Sequence, residues 1–368
     1  MTGFVQSIIT VALFIFILGA LVIIHELGHF VTARLAKVRV LEFGIGFPPR
    51  AKVLRSGGET LYTLNWLPIG GFVKLEGEDG TDADDPRSFA AQRYLTKMLI
   101  LVAGVAMNIV LAFVIFTGIA WLASPLVGVR FFEVQPGSPA AVAGLQAGEA
   151  IVAVYGDRYQ FITGSTALTG LRDRAGETVV LTVADSSGAV RDVSVTLRAE
   201  AEIDADHGAL GIVGPKTHPF ELDFYGEYTQ NDLPTAVQVG AHETVRWMGL
   251  IVGGLASLVS SVANDPTAPP PVSGPVGIAM QIGDILWNNG LVMTLYVAGI
   301  LSANLAVVNI LPFPPLDGGR MLMITLKRLF GARISLRAEQ LTYMVGFVFL
   351  FAFIIWVTGF DIIRSLGS

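Results

Sequence analysis

His25-Glu26-Leu27-Gly28-His29 ends an apolar run in which Met1 to Ile24 contains no Asp, Glu, Lys or Arg, so Glu26 is the first charged residue of the chain. On a helix, two histidines four residues apart fall on one face, close enough to share a metal ion. The glutamate between them is placed to polarise a water on that metal. An apolar segment that carries its own metal ligands points to hydrolysis at membrane depth. The competing reading is a pair of histidines that only cap a helix. It is the costlier one, because His-Glu-His would then be buried near a bilayer without a partner.

The 368-residue chain is 52% hydrophobic and 15% charged, with a mean hydropathy of +0.62. That is too apolar for an ordinary soluble domain. Four stretches meet the requirement of about 18 apolar residues without charge for a membrane-spanning helix: Phe4–Ile24, Met98–Ala123, Ile285–Leu311 and Leu341–Phe360. The first lacks a basic leader and a small-residue cleavage site, so a retained helix is expected rather than a signal peptide. Trp247–Val262 is also apolar, but it is short and rich in Gly and Ser. It is expected to lie at the interface or partly buried.

Lys and Arg placement sets the expected orientation. Ten basic residues lie between the first two spans, among them Arg34, Lys37, Arg39 and Arg50. Arg320, Lys327, Arg328, Arg333 and Arg337 follow the third span. The long segment between spans two and three is acidic instead. Both basic connections are therefore expected on the cytoplasmic side, with the acidic segment and both termini outside. A fifth crossing at 247–262 would break this pattern. The net charge of −6 gives no argument for nucleic acid as a partner.

Between the first two spans, Leu41 to Phe47 alternates and is punctuated by glycine, and Ser56-Gly57-Gly58 reads as a turn. A β-hairpin beside the metal helix is expected within 37–97. Segment 126–200 reads as a small domain with strands at 129–134, 151–155, 178–184 and 190–197. Its short helix opens at Ser138 and stops at Gly144, and a second helix is expected at 165–174, with Ser165 as its cap. Residues 201–240 are polar and poorly patterned, and a loop is expected there.

With no cysteine in the chain, a metal must be held by His, carboxylate or water. Zinc hydrolases use three protein ligands and keep one position open. His207, His218 and His242 lie in the outward segment, on the wrong side for the motif. Asp317 ends the uncharged run that starts at Ile285, just after Pro312, Pro314 and Pro315. It could simply cap the helix that follows. Beside an HExxH that lacks a third ligand, the metal is the better counter-charge for it. His29 and His25 precede Arg34 by five and nine residues, which places them roughly 8–14 Å below the cytoplasmic surface. Asp317 arrives at the same side. Asn304 and Asn309 interrupt the third span. They could glue helices together or hold a substrate backbone at the metal. Asn108 in the second span is read as glue.

These residues carry a resemblance. HELGH at 25–29, the run Asn309 to Gly319 with its LDGG end, Gly44-Ile45-Gly46-Phe47 and Ser273 to Ile278 together resemble the site-2 protease family of intramembrane zinc metalloproteases. The likeness is to its bacterial regulator-of-sigma-E-protease branch. Gly137-Ser138-Pro139-Ala140 and Gly148-Glu149-Ala150-Ile151 look like a bacterial PDZ domain. The fold class implied is a polytopic α-helical membrane protein with four transmembrane helices. It carries a membrane-associated β-hairpin and an extracytoplasmic α+β PDZ-like domain.

The organisation expected is a first helix within 1–36, the hairpin region 37–97, a second helix 98–123 and the PDZ-like domain 126–200. An outer linker with an interfacial helix spans 201–284, the third transmembrane segment 285–319, a cytoplasmic connection 320–340 and the fourth helix 341–360. The resemblance implies Zn²⁺ held by His25, His29 and Asp317, with Glu26 as the catalytic base. Substrate contacts are expected at Asn304, Asn309, Gly44, Ile45 and Gly46, the last three as an exposed strand edge that could pair with an extended substrate. The implied substrates are single-span membrane proteins in the bacterial inner membrane, such as anti-sigma factors trimmed by an upstream site-1 protease, or remnant signal peptides. A catalytically idle PDZ membrane scaffold and a metal-handling transporter are the rival readings.

Overall fold

The computed structural model describes residues 2–78, 84–162, 171–204, 207–213, 221–265, 269–331 and 335–367. In chain order the elements are α1 (Thr2–Leu35), β1 (Val40–Arg55), β2 (Leu61–Leu75), α2 (Tyr94–Leu122), β3 (Ser124–Arg130), β4 (Glu133–Val134) and α3 (Pro139–Val142). There follow β5 (Ala150–Val154), β6 (Asp157–Arg158), β7 (Thr178–Ala184), β8 (Val190–Thr196), β9 (Ile212–Val213) and β10 (Glu221–Thr229). Four helices complete the chain: α4 (Leu233–Asn264), α5 (Pro275–Ile310), α6 (Asp317–Phe330) and α7 (Leu336–Gly367). Two compact units result, one formed by Phe116–Gly240 and the other by the rest of the chain.

In the larger unit, Ile17 and Leu21 of α1 are buried against Ile282 and Ala298 of α5, with Leu111 of α2 packed beside them. A second cluster joins Ala33, Val38, Val40, Val73, Leu75, Ile100 and Leu101. It fixes the sheet to the ends of α1 and α2. Any side chain at Gly28 would run into the backbone of Ala103, so the two helices touch closely at the HELGH segment. α5 starts at Pro275 and contains a break at Gly290, whose φ is +78°. The apolar stretch expected at 285–311 is thus the second limb of a longer helix. From Leu291 to Ile310 that limb has 20 residues, about 30 Å of helix. The start of α5 is capped from a distance, because the buried Asp361 carboxylate of α7 accepts from Gly277 N at 2.8 Å.

The β-element is richer than the expected hairpin. Both long strands fold back on themselves, at Gly46 (φ +79°) in β1 and Gly70 (φ +86°) in β2. Gly44 is paired with Phe72 on one side and Thr63 on the other, and Ile45 with Gly71 and Leu64. Arg50 to Arg55 then pairs outward from Tyr62 to Asn65. The result is a four-segment sheet in the order 71–75, 40–47, 61–67, 50–55, in which the outer pairings are antiparallel and 61–67 runs parallel to 40–47. Asn65 donates to the Gly46 carbonyl at 2.9 Å and holds the bend. Gly44, Ile45 and Gly46 were expected as an exposed edge. Gly44 and Ile45 instead lie inside the sheet with both neighbours in place, and Gly46 forms the bend.

The smaller unit is an antiparallel sheet in the order β10-β3-β5-β7-β8, with β6 paired to β5 and β4 paired to β9. Its core holds Phe131, Ile151, Leu171, Val179, Leu181 and Val195. Burial pushes the Tyr159 hydroxyl in this core up to about 12. Ser138 caps α3, accepting from Ala141 N at 3.2 Å. The sheet extends past the expected limits of 126–200, because β10 pairs with β3 from a segment expected to be loop. An edge strand needs only backbone pairing on one side, so its polar sequence, ELDFYGEYT, gave no apolar signal. Residues 233–240, also expected as loop, begin α4. Most of the helix expected at 165–174, including its cap Ser165, lies outside the described residues.

Among the described residues, five helices are long and apolar enough to cross a membrane: Gly3–Leu35, Tyr94–Leu122, Leu233–Asn264, Pro275–Ile310 and Arg337–Leu366. Four of them cover the expected spans to within one residue. The fifth, α4, contains the 247–262 segment and is much longer than expected. Phe131 is fully buried in the sheet core of the smaller unit. Phe131→Ala should destabilise that unit by about 3–5 kcal/mol. Limited proteolysis of the full-length protein should then cut first within Phe116–Gly240.

Candidate metal centre

His25 and His29 lie on one face of α1, both buried, with their rings edge to face at 4.8 Å. Asp317 is the first residue of α6, and its arrival depends on the turn before it. Pro312, Pro314 and Pro315 prevent α5 from continuing into α6. Gly318 and Gly319 sit so close to the backbone of Ile310, Leu311 and Phe313 that no side chain would fit there. Gly346 of α7 packs equally close against Pro314. The carboxylate is therefore delivered to α1 by a tight, clamped bend.

Three donor atoms converge. Asp317 Oδ2 lies 3.0 Å from His25 Nε2 and 3.2 Å from His29 Nε2. The two Nε2 atoms are 3.2 Å apart. Tetrahedral zinc with bonds of about 2.0–2.2 Å sets its ligand atoms roughly 3.3–3.5 Å apart. The triangle therefore fits such an ion after a spread of about a few tenths of an ångström. Two nitrogens and one carboxylate oxygen are also the donor chemistry zinc accepts in hydrolytic sites. Among the described residues, this is the one group of three His, Asp or Glu side chains that could hold a metal. His207 pairs with Asp204 instead, and His242 is exposed beside Glu243. His218 lies outside the described residues.

α2 presses on the back of both imidazoles. His29 Nδ1 meets the Ile100 carbonyl at 2.8 Å, which orients the ring and leaves Nε2 free as a ligand. Four residues on, a side chain at Gly104 would strike both histidine rings. Four further on, the Asn108 amide reaches His25 Nδ1 at 3.3 Å. Asn108 was read from sequence as helix glue, and its backbone carbonyl does accept from Ser302 of α5 at 2.8 Å. Its side chain faces the histidine.

A cavity of about 810 Å³ opens in front of the donors, lined by His25, Glu26, His29, Asp317 and Asn309. The segment Gly71 to Leu75 forms another wall. This is the outer segment of the β1–β2 sheet, and no strand pairs with its far side among the described residues. Gly71 comes so close to Glu26 that an added Cβ would lie 3.7 Å from the Glu26 side chain. Leu75 N donates to Glu78 Oε2 at 3.0 Å, which ties off one end of the open edge. Glu78 also pairs at 2.5 Å with Arg320, one turn after Asp317. Asn304 does not line the cavity. It is five residues from Asn309, which turns it about 140° around the helix. Sequence reasoning missed the edge, although Gly70-Gly71 beside a short alternating run was a readable signal. It also missed the service of α2 to the histidines, whose trace is the four-residue spacing of Ile100, Gly104 and Asn108.

Comparison with known proteins identifies the family. A sequence profile described as Peptidase family M50 matches residues 13–353. Zinc metalloprotease RasP of Geobacillus kaustophilus is 27% identical, covering 97% of this chain and 99% of its own. Two clostridial proteins that carry the zinc metalloprotease name are also similar. The one from Clostridium acetobutylicum is 31% identical over 98% of this chain and 100% of its own. The one from Clostridium perfringens is 32% identical over 94% and 96%.

Asp317→Ala should remove one corner of the donor triangle and lower bound zinc from about one per chain towards none. Gly104→Leu should do the same by displacing both rings. Elemental analysis of the purified protein measures both, and zinc content equal to wild type in Asp317→Ala would exclude that carboxylate from the site.

Proposed function

The chain belongs to peptidase family M50, the site-2 protease family, and from that premise we propose that it cleaves single-span membrane proteins within their transmembrane segments. It is a zinc metalloendopeptidase with several membrane-crossing helices. The observation that carries the proposal is the meeting of His25, His29 and Asp317 beside Glu26, on a cavity walled by an open strand edge. In this reading His25 Nε2, His29 Nε2 and Asp317 Oδ2 hold the zinc. When bound, zinc supplies Lewis acidity towards water and the scissile carbonyl. Glu26 takes a proton from the attacking water and delivers it to the leaving nitrogen. Asn309 lines the same cavity and donates a hydrogen bond to the substrate backbone.

A substrate helix satisfies its own backbone, so it must unwind before its peptide bond is reached. The edge Gly71–Leu75 offers the replacement partners. Leu75 N turns to Glu78 rather than to β1. By the two-residue alternation of a strand, Val73 and Gly71 present their N–H and C=O groups on that same open side. An unwound substrate adds there as a further strand, beside Glu26.

The chain is a multi-pass membrane protein, and the bacterial inner membrane is the setting proposed. α1, α2, the second limb of α5 and α7 cross it. α4 lies along the outer surface, because a fifth crossing would carry the basic residues of 320–337 outside. The metal centre then lies near the cytoplasmic face, with the acidic segment and both termini outside. The unit at Phe116–Gly240 acts as the PDZ-like screen, binding exposed C-termini or refusing bulky ectodomains. Suitable substrates are anti-sigma factors already cut on the outer side by another protease, and remnant signal peptides.

Reconstituted with a model transmembrane substrate, Glu26→Gln should cleave at least 10²–10⁴-fold more slowly than wild type and keep its zinc. Equal cleavage by both proteins, or none by either across several substrates, counts against the proposal. Val73→Pro removes one open-side donor and leaves the ladder to β1 intact. It should slow cleavage at unchanged zinc content. Cleavage at the wild-type rate would show that the edge is not used.

A further inference from the structure

We propose that Asn108 is a positioning residue for the metal, accepting a hydrogen bond from His25 Nδ1–H and so fixing that ring for coordination through Nε2. The inference rests on the assignment of His25 as a ligand.

His25 Nε2 is aimed at Asp317 Oδ2 and at His29 Nε2. A nitrogen that offers its lone pair to a metal leaves the ring proton on the other nitrogen, so Nδ1 is a donor and needs an acceptor. His29 meets that need with the Ile100 carbonyl. Among the described residues, no backbone carbonyl meets His25 Nδ1. Its contact is the Asn108 amide, through Nδ2 at 3.3 Å.

The amide supplies the second, independent observation. Asn108 is fully buried, and its Oδ1 has no hydrogen-bond partner. A buried orphan acceptor costs about 1–3 kcal/mol. A buried N–H facing an amide N–H adds a similar cost. Turning the amide through 180° exchanges Oδ1 and Nδ2, which are the same size. The oxygen then accepts from Nδ1–H, which replaces the opposed N–H groups with one hydrogen bond, and Nδ2 moves to the place the oxygen held.

Gly104 one turn earlier lets α2 approach the rings, while the Ser302 hydroxyl donates to the Asn108 backbone carbonyl and not to its amide. Ile100, Gly104 and Asn108 therefore form one stripe of α2 that serves the two histidines in turn, with a carbonyl, a gap and an amide.

The test compares purified full-length variants in detergent. Zinc affinity is read by competition with a chromophoric chelator, and ligand geometry by the visible spectrum of the cobalt-loaded protein. Asn108→Leu keeps the volume and removes the acceptor, so zinc affinity should fall 10–100-fold with an altered cobalt spectrum. Asn108→Asp restores an acceptor, and affinity should return to within a few-fold of wild type. Ser302→Ala removes the helix contact alone and should bind zinc as wild type does. Wild-type affinity and spectrum in Asn108→Leu would overturn the inference. So would Asn108→Asp binding as weakly as Asn108→Leu, or Ser302→Ala losing as much as either. His25→Ala separates the two layers: full zinc binding by that variant would overturn the ligand assignment itself, and this inference with it.

Discussion

Two imidazoles and a carboxylate meet within 3.2 Å of one another in an apolar surround, and this demand organises the larger unit. A carboxylate left alone at bilayer depth costs about 2.5–3.5 kcal/mol or more. Asp317 avoids that cost only if the chain delivers it to the histidines. The delivery requires α5 to stop, turn sharply and restart, which three prolines and two crowded glycines enforce. It also requires α1 and α2 to approach closely. Gly28 and Gly104 permit this, each at a point where a side chain would collide with the opposing helix.

The same demand explains the sheet. A metal centre buried among helices would be reachable only by groups small enough to slip between them. The β1–β2 element instead places a strand edge along the cavity, with Gly71 beside Glu26. The glycines at 46 and 70 bend both strands so that Gly71–Leu75 becomes the outer segment. Glu78 then joins the end of that edge to Arg320, on the helix that begins with Asp317. The strand edge and Asp317 are thereby held in one frame.

The long helices and the members of the His25, His29 and Asp317 cluster were legible because their signals are local. Apolar length marks a span, the i, i+4 spacing of His25 and His29 marks one helical face, and Pro312 to Gly319 marks a broken helix ending in a carboxylate. Elements that failed to read had signals spread over distance or absent. β10 is polar and pairs through its backbone with β3, nearly a hundred residues earlier. Gly44–Ile45 looked like an edge because alternation shows that a strand exists and says nothing of how many neighbours it has. Asn304 and Asn309 looked equivalent in a list of polar interruptions. Five residues of helix separate their faces, and only Asn309 reaches the cavity.

The sequence by itself determined the donor chemistry, since HELGH and Asp317 are the imidazoles and carboxylate that this cysteine-free chain sets at the ends of its uncharged runs. Tertiary structure alone decided which groups surround that chemistry. The open edge at Gly71–Leu75, the stripe Ile100–Gly104–Asn108 behind the histidines and the Glu78–Arg320 tie arise where segments distant in sequence approach one another. Residue type and spacing fix what a side chain can do. Its neighbours depend on how helices and strands pack, and packing is a property of the whole chain.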